Sequence, residues 1–118
     1  MSQIPEDARP ALDVLRGVGG DEMLAMMMQT FLQFAGERLE KLVEESEAGR
    51  ISEVAGIAHS LKSSARQLGA VALGEACAKT ELAGRSDDAV GATDGVTAIL
   101  RAFAEAKPWM ESVARASS

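Results

Sequence analysis

The stretch DEMLAMMMQTFLQFAGERLEKLVEESEA, Asp21 to Ala48, carries the fold in its spacing. Leu24, Met27, Met28, Phe31, Ala35, Leu39 and Leu42 recur at three- and four-residue intervals. At about 100° per residue they form one apolar stripe on a long helix. Methionines at that spacing read as core filling, because a flexible thioether adapts to irregular gaps. Met26 falls opposite the stripe and is expected to be exposed or covered by the preceding helix.

Working outward, Gly and Pro punctuate the chain into further helices. A short leading helix is expected over roughly Asp7–Arg16, with Leu12, Leu15 and Val18 buried, a stop at Gly17–Gly20, and Asp21 capping the next helix. After the quoted stretch, Ser52–Leu68 turns Val54, Ala55, Ala58, Leu61, Ala65 and Leu68 inward and stops at Gly69. Val71–Ala83 buries Leu73, Ala76, Cys77 and Thr80, and Gly84–Asp88 reads as polar turn. A last helix from near Asp88 places Ala92, Val96, Ile99, Leu100, Phe103 and Met110 on one face, with Pro108 expected to kink or end it. The fold class expected is all-α: an antiparallel four-helix bundle with a short additional N-terminal helix, one domain over residues 1–118.

Composition agrees. The 118 residues are 47% hydrophobic with three Phe, one Trp and no Tyr, so the interior must be built of aliphatic side chains, Met and Ala. A formal net charge of −6 repels nucleic acid and anionic membrane surfaces, so protein partners are expected. The one cysteine, Cys77, allows no internal disulfide and no thiolate zinc site, which fits a reducing cytoplasm. Met1–Pro10 has acids and prolines where a secretory signal needs a basic start and an apolar run. No uninterrupted apolar stretch is long enough to span a bilayer. A soluble, cytoplasmic monomer is the expectation.

Within Ser52–Leu68, the only histidine, His59, points about 130° away from the apolar stripe and toward solvent. Lys62 and Arg66 share its side, and Ser52, Gly56 and Ser63 surround it with small side chains. By position alone this is an ordinary solvated helix face. The string AHSLKSSARQLGA, Ala58 to Ala70, adds more. It resembles the signature of histidine-containing phosphotransfer (HPt) domains of two-component phosphorelays in His59, Leu61, Lys62, Ser63, Ser64, Leu68 and Gly69. Phe31 and Phe34 ahead of the motif, and Cys77 followed by Glu81 behind it, extend the resemblance along the chain. Two positions depart from the pattern. Ser63 stands where such domains usually have Gly, and Gly49-Arg50 stands where they often have Gly-Asp.

The resemblance implies a relay in which His59 is phosphorylated and exchanges the phosphoryl group with the aspartate of response-regulator receiver domains, fed by a hybrid histidine kinase. Lys62 would stabilise the moving charge, with a longer-range contribution from Arg66. Glu81 would hold the imidazole tautomer, as Glu or Gln does in similar domains. Receivers would dock over Ala55, Gly56 and Ser63. No nucleotide-binding glycine loop and no metal-ligand set is visible, so no cofactor is expected on this chain, no phosphorylation from ATP by itself, and Mg²⁺ would come with the receiver. Two other readings stand beside this one: a helical adaptor with an unmodified histidine, and a phosphoacceptor domain served directly by a chemotaxis-type kinase. A Ser-His hydrolase is disfavoured, since Ser60, Ser63 and Ser64 share the helix of His59 and no nucleophile turn exists.

Overall fold

In the computed structural model, which describes residues 3–116, a 3-10 turn at Glu6–Ala8 leads into four helices: α1 (Arg9–Glu47), α2 (Ile51–Gln67), α3 (Val71–Arg85) and α4 (Ala89–Arg115). Met1 and Ser2, the start of the segment read against a signal, and Ser117 and Ser118 at the end of the expected domain, lie outside the described residues. The leading helix is the first arm of α1. Gly20 breaks the helical path at φ 76°, a conformation open to glycine at little cost. Arg16 spans the break, donating from Nε to Asp21 at 2.9 Å and from a terminal nitrogen to Asp13 at 3.4 Å. Leu12 and Leu15 are buried as expected, but Val18 is exposed. Successive three-residue steps drift by about 60° each, which carries Val18 off the buried line.

Each helix packs on the next, and α4 returns to α1. This closes an antiparallel ring of four whose 42 Å long axis matches the roughly 40 Å length of a 27-residue helix. The three inter-helix turns share one device, a left-handed residue just past the helix end. Gly49 (φ 74°), Gly69 (φ 82°) and Asp87 (φ 58°) occupy it. The next residue donates back into the last turn, Arg50 to Glu45 O, Ala70 to Ala65 O and Asp88 to Ala83 O. Arg50 also donates through its side chain to the buried Glu45 carboxylate, and this hydrogen bond holds the carboxyl below its ordinary range. That contact gives Arg50 a use at the position where the family resemblance favours Asp.

The core follows the sequence stripes, with Leu24, Met28, Phe31, Leu42, Leu61, Leu73, Cys77, Ile99 and Met110 all buried. Met27 and Ala76 are only partly buried and Met26 is exposed. Of the two outcomes expected at Pro108, ending is excluded, because the helix continues to Arg115. The inward placement of Leu100 is corrected, since it is 38% exposed. Beyond the proline, Trp109, Met110, Val113 and Ala114 are buried. Each large apolar side chain removed from water contributes about 1.5–3 kcal/mol, enough together to offset a proline penalty of about 3 kcal/mol. Among the described residues no helix is long and apolar enough to cross a membrane.

Candidate functional site

Two glycines bring α3 close to α2. A Cβ on Gly84 would lie 2.7 Å from the Ala55 Cβ and 2.8 Å from the Ile51 carbonyl oxygen, and one on Gly74 would lie 3.0 Å from the stem of Arg66. Between these contacts, Glu81 on α3 faces His59 and Lys62 on α2. Its Oε2 lies 2.9 Å from His59 Nδ1, and its Oε1 accepts from Lys62 Nζ at 2.6 Å. Arg85, one turn further along α3, donates from Nε to Oε2 at 2.9 Å. Glu81 is therefore a buried carboxylate ringed by three nitrogen groups.

The Lys62 hydrogen bond is the largest influence on Glu81. Burial opposes it, Arg85 and His59 reinforce it, and the carboxyl settles at about 2. An ionised carboxylate can only accept, so His59 carries its hydrogen on Nδ1 when the ring is neutral, and the lone pair sits on Nε2. The imidazole side chain is 55% exposed. Gly56 has open space where a Cβ would stand, and Ser63 is exposed. The ring is thus held at one nitrogen and approachable at the rest.

The structure brings His59, Lys62 and Glu81 into one cluster, and leaves two other expected residues apart from it. Arg66 lies two helical turns beyond His59, about 10 Å along α2, with its stem over Gly74. Ala55 is buried against Gly84 and cannot be touched by a docking partner, which corrects its place in the expected footprint. It lies on the α3-facing flank of α2, where a methyl group meets a glycine. Ser60 bonds its own helix at Ile57 O. Cys77 is fully buried, and burial pushes its thiol up to about 12, consistent with core filling.

Arg85 escaped the sequence reading because the helix was expected to end at Ala83. Its four-residue spacing from Glu81 is the signal that a longer helix would have supplied. Among the described residues no group of three or more His, Cys, Asp or Glu is placed to hold a metal ion. Both oxygens of Glu81 are engaged by cations or N–H donors, so the donor set beside His59 does not suit a divalent cation.

Beside this face, Met27, Thr30, Phe31 and Phe34 of α1 and Ser64, Gln67 and Leu68, at the C-terminal end of α2, line an open groove of about 290 Å³. A family model described as Hpt domain matches residues 26–107. No curated protein and no solved structure matches the chain.

Proposed function

The chain belongs to the Hpt domain family, histidine phosphotransfer modules of two-component systems, and on that premise we propose that it is a phosphorelay intermediate carrying the phosphoryl group on His59. The observation that supports this most directly is the His59 Nδ1 to Glu81 Oε2 contact of 2.9 Å, which leaves Nε2 as the nucleophile on an exposed ring. In the transfer, the Nε2 lone pair forms the N–P bond while the P–O bond of a receiver's aspartyl phosphate breaks and its electron pair returns to the carboxylate. The ring becomes cationic, and its Nδ1 hydrogen faces the Glu81 carboxylate, which favours that charge. Lys62 supplies positive charge beside the ring and holds Glu81 in place.

The receiver approaches over Gly56 and Ser63, where short side chains leave the ring uncovered. A divalent cation used in the exchange is the receiver's to hold. Receiver domains and a hybrid histidine kinase are the partners proposed, with the chain acting as a monomer in the cytoplasm. The test is to mix the protein with a phosphorylated receiver and look for acid-labile, alkali-stable phosphate at residue 59. Label on the parent and none on His59→Gln is the expected result. Equal labelling of both proteins, or none on either, refutes the proposal and favours an adaptor whose histidine is not modified.

A further inference from the structure

We propose that Arg85, rather than Lys62, is the cation that closes on the phosphoryl group once it reaches His59; this rests on the phosphotransfer reading above. The two cations hold Glu81 in different ways. Lys62 is 21% exposed, sits in the α2–α3 seam, and binds Oε1, the oxygen that His59 does not use. Its hydrogen bond is also the main influence keeping the buried carboxylate ionised. If Lys62 left, the one acid of the cluster would lose its strongest partner.

Arg85 is 59% exposed and donates through Nε to Oε2, the same oxygen that faces His59 Nδ1. Two nitrogens that share one oxygen at hydrogen-bond distance lie no more than about 6 Å apart. The guanidinium is therefore beside the imidazole, and its two terminal NH₂ groups remain to meet a second acceptor. A planar fork of donors matches phosphate oxygens in a way that a single ammonium does not.

The exchange is coupled to the chemistry. As Nε2 takes the phosphoryl group and the ring becomes cationic, the Nδ1–H bond to Oε2 strengthens, which compensates Glu81 for a departing guanidinium. At the same moment a dianionic acceptor appears on the far side of the ring. Arg85 moves from Oε2 to the phosphoryl oxygens. Lys62 stays on Oε1 and acts through Glu81, as a positioning residue.

The experiment uses the full chain and two donors, a phosphorylated receiver and phosphoramidate, with the parent, Arg85→Ala and Arg85→Lys compared. The ³¹P resonance of the phosphohistidine is titrated against pH, and the hydrolysis half-life of the phosphoprotein is measured. For Arg85→Ala we expect uptake from both donors to fall roughly 10-fold, the ³¹P titration to move to higher pH, and the melting temperature to stay near the parent's. Arg85→Lys should recover part of the uptake. Parental uptake and an unchanged ³¹P titration in Arg85→Ala overturn the assignment of Arg85 while His59 labelling leaves the phosphotransfer reading standing. A parent protein that takes no phosphate at residue 59 from either donor overturns both.

Discussion

Replacing Glu81 with Gln removes one negative charge while keeping the side chain's length and an acceptor oxygen. A carboxyl held at about 2 instead of 4.5 contributes at most about 3.4 kcal/mol to stability at neutral pH. His59 and Arg85 are each more than half exposed, so solvent screening reduces the expected contribution to about 1–2 kcal/mol. Because the folded-state value is the lower one, this stability is present above pH 4.5 and is lost as pH falls toward 2, where the folded carboxyl also takes up a proton. The Gln side chain has no such proton to bind. The stability difference between parent and Glu81→Gln should therefore be largest near pH 7 and shrink steadily as pH falls through 4.5 toward 3. Urea unfolding followed by circular dichroism at pH 7, 5, 4 and 3 measures it. A difference that stays constant across this range, or is absent at pH 7, refutes the claim that His59, Lys62 and Arg85 hold Glu81 as an anion.

Leu61→Ala, two residues from His59 but 1% exposed, should cost about 2–5 kcal/mol in chemical denaturation, and a negligible loss would mean that α2 is rotated from its described orientation. Gly84→Ala puts a methyl group against Ala55 and the Ile51 carbonyl; we expect about 1–3 kcal/mol of destabilisation and altered imidazole ¹⁵N resonances as Glu81 is pushed away, and parental resonances would contradict the argument. Gly56→Leu meets open space, so stability should change little, while transfer from a receiver slows by about tenfold or more, equivalent to about 1.4 kcal/mol, with uptake from phosphoramidate retained. Equal loss with both donors would remove docking as the role of Gly56.

Most of the bundle was legible because a helix buried on one side must repeat its apolar residues, and Leu24 through Leu42 and Val54 through Leu68 do so without interruption. His59 and Glu81 were legible for another reason, since the motif around His59 carries a family pattern that periodicity does not. What escaped reading depends on where helices end and how they are phased. The stripe expected on α4 lacked Trp109 and Val113, and without them its centre falls too close to Leu100. Ending α3 at Ala83 hid Arg85, although Asp87 could close the helix later because a short polar side chain tolerates positive φ. The spacing turned Ala55 inward, as the structure has it, and its small size alone put it in the expected footprint, where the approach of Gly84 covers it.

The ring of helices has contacts of very different sequence span. His59 and Glu81 are 22 residues apart, whereas the hydrogen bond from Gln29 to Ala114 O joins α1 to α4 across 85 residues. Loop-closure entropy grows with the logarithm of length, which makes the longer closure about 1.2 kcal/mol more costly before any contact repays it. The α2–α3 hairpin should form early in folding, and the α1–α4 seam should close last. The same ordering governs excursions from the native state: amides of α4 beyond Pro108 should exchange with solvent sooner than those around Leu61 and Cys77. Partial opening of the seam then leaves the imidazole and its carboxylate paired, so the chain can lose part of its tertiary structure without losing the geometry at His59.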